Sequence, residues 1–245
     1  MARPIILSNG EMHVGLNNFG LVHDFYYPYV GGENHALAHA LRHRIGVWVD
    51  GVFSWLDDGQ WQFRHLYVPE TLIGNVTATN YSLNISLEMT SAVDSEQAAF
   101  LRNVHVVNMA DHKRDIRVFM HQVFVISNSY ASDTAQYLPD SDAIVHYKGL
   151  RSFIVSGKMG DQPFDQYAIG LNGIEGKDGV YRDAEDGELS GNNVEHGRID
   201  SVLRFRAEVE AKVAGIARVL GPHARAHEIL YSTRILKKTG LRIAG

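Results

Sequence analysis

The sequence contains no cysteine. Disulfides, thiolate metal sites and cysteine nucleophiles are therefore excluded, and nothing in the composition points to an oxidising compartment. Positive charge is not in excess either, because 23 Lys and Arg stand against 28 Asp and Glu, which gives a formal net charge of −5. The basic residues form only short pairs, such as Arg42 with Arg44, so the sequence does not predict a nucleic-acid-binding protein.

Long hydrophobic segments are missing as well. The N-terminal apolar run covers only residues 4–7, which is far shorter than a secretory signal or a membrane span. We therefore expect a cytoplasmic protein with no membrane contact. The 245 residues are enough for one large domain that buries about 70% of its unfolded surface.

Alternation of apolar and polar residues is the dominant pattern, and it predicts an all-β fold. Asn9-Gly10 and Asp50-Gly51 have the composition of hairpin turns. A three-strand meander is predicted over residues 45–67, and the clearest single strand over 81–89. Further strands are predicted at 100–108, 116–126, 143–147, 152–156, 167–171 and 203–213. Helices are expected only at 35–43 and at 222–239, where Pro222 suits a first turn and Gly240 a stop.

Histidine spacing gives the only metal-like pattern in the sequence. His35, His39 and His43 are four residues apart, and two histidines one helical turn apart can chelate a transition metal. The third would drift about 80° around a helix, and no acidic residue besides Glu33 is near. We therefore expect no biological metal site and no cofactor.

The segment from residue 16 to 35 contains glycines and a cluster of four aromatic rings, Phe25, Tyr26, Tyr27 and Tyr29, around Pro28, which predicts a shaped loop. Tyrosine combines a flat apolar body with a polar tip, so it can stack on a sugar ring while neighbouring polar groups bind the hydroxyls. The candidate sugar-binding residues are Asp24, Tyr26, Tyr27, Tyr29 and Asn34. The alternative is that these rings only fill the end of a β-sandwich.

Several ordered motifs resemble one enzyme family. They are LNNFGLVHDFYYPYVGGENH, LRHRIGVWVDGVFSWLDDGQW, FMHQVFVISNS, DTAQYLPDSDAIVHYKG, PFDQYAIGLNGIEGKDG and RDAEDGELSGNNVEHGRIDS. In this order they are similar to the N-terminal domain of bacterial glucoamylases and glucodextranases, glycoside hydrolase family 15. The resemblance covers roughly residues 3–206 and fades after about Arg206.

The resemblance implies a β-supersandwich of the galactose mutarotase type, assigned to residues 1–221. Residues 222–245 would be a helical connector toward an (α/α)6 barrel that this chain does not contain. In the resembled enzymes, two carboxylates of that barrel hydrolyse α-glucosidic bonds with inversion. The chain alone is then expected to be non-catalytic, with the barrel in cis or in trans as its partner and an α-glucan as a possible ligand. A stripe of Ile229, Leu230 and Leu236 on the predicted helix would favour a homo-oligomer in isolation.

Two other functions stay open at this level. One is a free-standing carbohydrate-binding module that uses the tyrosine loop, and the other is a mutarotase-like sugar epimerase, which needs a histidine and a carboxylate. His121, inside a nearly continuous apolar strand, is interpreted as a hydrogen-bonded structural residue. The acidic group Asp183, Glu185, Asp186 and Glu188 is interpreted as a surface loop and not as a glycosidase carboxylate pair.

Overall fold

A computed structural model describes residues 4–36, 43–127, 132–211 and 228–237. Within these ranges the chain forms eighteen strands and two short 3₁₀ helices and contains no α-helix, so the all-β prediction is confirmed. The strands are β1 (Ile5–Ser8), β2 (His13–Leu16), β3 (Val22–Tyr26), β4 (Ile45–Val49), β5 (Val52–Trp55), β6 (Gln62–Tyr67), β7 (Gly74–Asn80), β8 (Ile85–Val93), β9 (Ala99–Asn108), β10 (Arg114–Val123), β11 (Asp133–Leu138), β12 (Ala143–Lys148), β13 (Arg151–Met159), β14 (Gln162–Pro163), β15 (Gln166–Leu171), β16 (Val194–Gly197), β17 (Ile199–Val209) and β18 (Glu228–Lys237). The 3₁₀ helices are Pro139–Ser141 and Asp183–Asp186.

The strands form three antiparallel sheets. The small sheet has the order β1-β2-β3, and the middle sheet has the order β15-β17-β10-β4-β5. The large sheet has the order β16-β11-β12-β13-β18-β9-β8-β7-β6, with β14 paired to β13. One apolar core joins all three sheets, with Val14, Val118, Leu87 and Phe153 among its members. The chain is therefore a layered β-sandwich.

The middle sheet is buried on both faces. Its inner face carries Val47, Val118 and Leu203 into the main core. Its outer face carries Phe119 and Val202 into a second apolar cluster, which the loop after β15 covers with Ala184 and other residues. Strands buried on both faces have near-continuous apolar sequences, as β10 does.

The turn after β4 has the predicted geometry. Asp50 and Gly51 have φ of 52° and 82°, and they connect strands in the register Val49↔Val52. The third strand of the predicted meander does not follow this pairing, because β6 crosses over and pairs with β7 at the edge of the large sheet. A period of two identifies a strand but does not specify its partner.

The clearest predicted strand starts later than expected. Residues 81–84 form a turn in which Asn80 Oδ1 accepts a hydrogen bond from the Leu83 N–H at 3.0 Å, and Asn84 has φ of 51°. Tyr81 is 64% exposed, and β8 begins only at Ile85. The asparagine side chain competes here with the sheet for a backbone donor.

The C-terminal helix predicted over residues 222–239 is wrong, because β18 occupies residues 228–237. This strand lies inside the large sheet and pairs with β13 on one side and β9 on the other. Tyr231, Thr233 and Ile235 are buried and alternate with less buried neighbours. A strand at this position can pair its backbone N–H and C=O groups with β9 on one side and β13 on the other, and its β-branched and aromatic residues favour a strand. These contacts outweigh the helix signals of Pro222 and Gly240.

The helix predicted over residues 35–43 falls largely on residues 37–42, outside the described residues. Ahead of it, the segment predicted as one shaped loop contains a regular strand, β3, so the irregular part begins only after Tyr26. In the described part of the chain, no helix has the length and apolarity to cross a membrane.

Candidate functional site

The aromatic loop after β3 folds back onto that strand. A bridge joins the backbones of Tyr26 and Asn34. Asn34 Oδ1 accepts hydrogen bonds from the N–H groups of Phe25 at 3.0 Å and Ala36 at 3.1 Å, and its Nδ2 donates to Asp24 Oδ1 at 3.1 Å. Asp24 and Asn34 therefore close the loop, and three of the five predicted sugar-binding residues lie together.

The three predicted tyrosines have different surroundings. Tyr27 is 6% exposed and belongs to the main core. Tyr26 is half-buried and meets the His13 ring edge-on at 5.9 Å between centroids. Tyr29 is 62% exposed. Tyr29 is thus the most exposed of the three rings, and the predicted sugar contact stays a prediction.

The base of the loop is tied to the hairpin of β12 and β13. The guanidinium of Arg151 pairs with the carboxylate of Glu33 and also donates to His35 Nε2 at 3.2 Å. The Nδ1–H of His35 donates to the Val125 carbonyl at 2.8 Å. Burial lowers the pKa of His35 from its ordinary value, so the ring is neutral at pH 7. Its hydrogen bonds give His35 a structural role.

A buried carboxylate lies at the same end of the sandwich. Asp133 is 3% exposed and its Oδ1 lies 3.3 Å from the Lys148 ammonium. Burial raises the pKa of Asp133 to about 6; Lys148 opposes this shift, and the charge of Glu33 adds to it.

A row of buried polar groups crosses the space between the middle and large sheets. The Ser201 hydroxyl donates to Gln122 Oε1 at 3.0 Å, and His146 Nε2 lies 2.8 Å from the same hydroxyl. Thr233 Oγ1 donates to the Tyr231 hydroxyl at 3.0 Å. Burial, reinforced by the charge of His121, lowers the pKa of His146 to about 3, so this row carries no histidine charge at neutral pH.

His121 and Asp200 form a second polar group on the outer face of the middle sheet. His121 Nε2 lies 3.0 Å from Asp200 Oδ2, which also accepts from Asn172 Nδ2 at 2.9 Å. Asp200 Oδ1 accepts from the Val180 N–H at 3.0 Å. The Tyr181 ring packs edge-on against His121. Asp200 therefore fixes the long loop after β15, and the interpretation of His121 as a hydrogen-bonded structural residue agrees with this geometry.

The acidic loop is held by arginines. Glu188 pairs with Arg117 at 2.6 Å and with Arg204 at 2.7 Å, and it accepts from Gln166 Nε2 at 2.7 Å. The hydrogen bond from Gln166 and the two arginines lower the pKa of Glu188. Asp183 and Asp186 accept backbone N–H bonds from Ser190 and Glu188 within the same loop. These acids stabilise the loop.

The interior offers little room for a ligand. The cavity between the sheets has a volume of about 20 Å³ and is lined by His43, Arg102, Gln122, Tyr231 and other residues. Pockets for small-molecule ligands are usually on the order of 300–1,000 Å³. A more open groove of about 350 Å³, lined by Ser156, Lys158, Arg234 and other residues, is within this range. Within the described ranges, no group of three His, Asp or Glu is placed to hold a metal ion. His39, the middle residue of the predicted metal-like series, lies outside those ranges.

No protein-family model matches the sequence. An uncharacterized glycosyl hydrolase of Methanocaldococcus jannaschii is 23% identical over 208 residues, which cover 84% of this chain and 32% of that protein. The NirH subunit of siroheme decarboxylase from Paracoccus pantotrophus is 66% identical over 38 residues, which cover 16% of this chain and 24% of that protein. The chain thus spans a third or less of these two relatives.

Solved structures share the fold at low identity. A bacterial glucoamylase complexed with acarbose has a TM-score of 0.71 and 9% identity, over 97% of this chain and 32% of that one. An assigned aldose 1-epimerase of Escherichia coli K12 has a TM-score of 0.54 and 9% identity, over 95% of this chain and 98% of that one. A protein assigned as a kojibiose phosphorylase from the human microbiome also has a TM-score of 0.54, at 10% identity. The chain is therefore similar to galactose mutarotase-like folds.

Proposed function

We propose that this chain is the β-supersandwich domain of a glycoside hydrolase of the glucoamylase and glucodextranase type, glycoside hydrolase family 15. It would act by packing against an (α/α)6 barrel in cis or in trans, which supplies the two catalytic carboxylates. The observation that supports this most is the TM-score of 0.71 to a bacterial glucoamylase, of which this chain spans only 32%. The M. jannaschii relative has the same proportion.

The end of the sandwich that carries the aromatic loop is the best docking surface. Tyr29 and Val30 are 62% and 60% exposed, and Leu150, at the tip of the β12–β13 hairpin, is 76% exposed. The ion pair of Arg151 with Glu33 holds this tip beside the loop. Clustered apolar side chains within a polar surround mark interaction surfaces. A barrel placed here would bring Tyr29 to the border of its substrate cleft.

The isolated chain is not expected to hydrolyse glucans. An inverting glycosidase needs one protonated carboxylic acid and one carboxylate that activates water. Glu188 cannot be that acid, because its pKa is lowered by Gln166 and two arginines. The barrel would have to contribute both groups, and this domain would stabilise it and shape the cleft.

A sugar epimerase is the second candidate, since the E. coli aldose 1-epimerase structure matches this chain almost end to end. That chemistry needs a histidine and a carboxylate that reach the sugar together. His121 and Asp200 are 3% and 0% exposed, and Asp200 accepts hydrogen bonds that hold the loop after β15. The geometry therefore favours the structural role, and the carbohydrate-binding module remains the third candidate through Tyr29.

The catalytic alternatives are tested on the purified chain. We expect no release of glucose from maltose, starch or dextran and no acceleration of glucose anomer exchange followed by polarimetry. Retarded migration in a gel that contains starch would favour the binding module. Rapid anomer exchange would favour the epimerase and contradict the proposal.

Docking is tested with the barrel encoded beside this domain. The double variant Tyr29→Ser and Leu150→Ser should lower the affinity for the barrel at least tenfold, measured by co-elution in size-exclusion chromatography. Tyr81→Ser with Leu72→Ser is the matched control, because those side chains are 64% and 65% exposed elsewhere on the surface. Equal effects of the two double variants, or neighbouring reading frames that encode no α-helical barrel, would contradict the proposal. The same chromatography tests the homo-oligomer predicted for the isolated chain.

A further inference from the structure

The interior contains a cation, Arg102, that has no counter-ion among the described side chains. Arg102 on β9 is 4% exposed. Its Nε donates to Ser91 Oγ at 3.0 Å and its Nη2 to the Gly20 carbonyl at 2.8 Å. Both acceptors are neutral. Burial lowers the pKa of Arg102 to about 10, and no carboxylate among the described side chains opposes this shift. The group therefore stays charged at pH 7.

The rest of the chain is a poor source of a counter-ion. The stretches outside the described residues, 1–3, 37–42, 128–131, 212–227 and 238–245, contain no Asp or Glu. Glu228 on β18 has His105 and not Arg102 as its register partner. A buried charge is costly unless it is paired.

A small cavity adjoins this cation. Its volume is about 20 Å³, and Arg102, His43, Gln122, Tyr231 and Thr233 line it. A cavity of this size holds one particle about as large as a water molecule. Phosphate, sulfate and carboxylic acids are too large for it.

The cavity also contains an unpartnered polar atom. His43 is 8% exposed, and its Nε2 has no hydrogen-bond partner among the described residues. The Tyr231 hydroxyl does not neutralise the arginine, because burial raises the Tyr231 pKa to about 12 and the hydroxyl stays protonated. One positive charge and one hydroxyl thus adjoin a space for a single particle, whereas His43 Nε2 offers no N–H there, because burial lowers the His43 pKa to about 3 and the neutral ring donates its one N–H to the Val123 carbonyl.

We propose that this cavity is a binding site for one small monovalent anion, with chloride as its natural occupant and the Arg102 guanidinium as its main ligand. The Arg102 N–H groups not used by Ser91 and Gly20 donate to the anion. Occupancy neutralises the buried charge, so the anion binds the folded state and stabilises it.

The test is thermal unfolding of the full chain at constant ionic strength while sodium gluconate is replaced by sodium chloride or bromide. We expect a saturable rise in Tm with either halide, because gluconate is too large to enter. Arg102→Met should abolish the rise. Arg114→Met is the matched control, since Arg114 is 6% exposed but lies 2.9 Å from the Asp50 carboxylate. It should lower Tm and keep the halide dependence.

A second measurement covers the case in which Arg102→Met does not fold. The ³⁵Cl resonance of dilute chloride should broaden on addition of the unmodified protein, and bromide should reverse the broadening. Equal Tm values in chloride and gluconate, a halide effect that survives Arg102→Met, or an unchanged ³⁵Cl linewidth would each overturn the proposal.

Discussion

Replacing Asp200 with alanine tests how the long loop after β15 is held. The carboxylate is fully buried and accepts hydrogen bonds from His121, Asn172 and the backbone N–H of Val180. A Cβ on Gly179 would lie 2.6 Å from Asp200 Oδ2, which shows how closely the loop backbone passes over the carboxylate. Removing the carboxylate leaves three buried donors without an acceptor.

The expected cost follows from those three donors. A buried donor left unsatisfied costs about 1–3 kcal/mol. The three costs are not additive, because the loop can relax and admit water, so Asp200→Ala should lower the free energy of unfolding by about 3–5 kcal/mol. This is a large share of the roughly 5–15 kcal/mol typical of a folded domain.

Urea titration followed by circular dichroism measures the loss of stability. Tryptophan fluorescence reports the loop itself, because Tyr181 of the loop packs 6.3 Å from the Trp55 ring. Asp161→Ala is the control, since Asp161 is exposed and should change stability by less than about 0.5 kcal/mol. A loss below about 1 kcal/mol for Asp200→Ala, with unchanged fluorescence, would refute this account.

Three further predictions concern pH and the C-terminal strand. The pKa of Asp133 is raised to about 6, so the folded state loses stability as pH rises from about 4 to 6, and Asp133→Asn should be more stable at pH 8 by at most about 3 kcal/mol in urea titrations. A less stable variant at pH 8 would show that the Lys148 pair outweighs burial. The pKa of His146 is lowered to about 3, so its contribution is complete above pH 6.5 and is lost as pH falls toward 3. His146→Gln should therefore move the acid-unfolding midpoint to lower pH, and an unchanged midpoint would argue against this. A chain that ends at Gly221 loses β18 and exposes the edges of β9 and β13 that paired with it, so it should be insoluble, whereas a soluble product with cooperative unfolding would contradict the sheet order.

The positions of strands and turns could be predicted where they depend only on neighbouring residues. The Asp50-Gly51 turn formed as predicted because both residues tolerate positive φ. Pairing could not be predicted in the same way, since it depends on contacts far apart in sequence. β6 has the alternation of its neighbours β4 and β5, yet it pairs in another sheet.

The C-terminal strand shows a conflict between local signals. Pro222 and Gly240 suggest helix ends, and Ile229, Leu230 and Leu236 fit a helical stripe. Residues 228–237 also contain Tyr231, Thr233 and Ile235 at a spacing of two, and the backbone groups of β9 and β13 decide in favour of the strand. The sequence alone does not show that the backbone N–H and C=O groups of β9 and β13 need a partner strand at this position.

The sugar contact of the aromatic loop stays a prediction, although three of its residues are close in space. Asp24, Tyr26 and Asn34 lie together because the loop is short and its glycines permit a tight return. Asp200 and Arg102 were missed. Arg102 has the parity of the apolar residues of β9, which is a signal that could have found it, whereas β17 carries several other charged residues and gives no such signal for Asp200. Their partners come from distant strands and loops, so their roles depend on tertiary packing.

Two acids of this chain, Asp133 and Glu188, show why we assign it a docking role and not a catalytic one. A general acid must be protonated at working pH and must also reach the substrate. Asp133 has the raised pKa but is 3% exposed beside Lys148. Glu188 is exposed at the surface, but its pKa is lowered by Gln166 and by arginines that hold its loop. Neither Asp133 nor Glu188 combines both properties, which supports the proposal that the catalytic carboxylates belong to a barrel that docks at the exposed Tyr29 end.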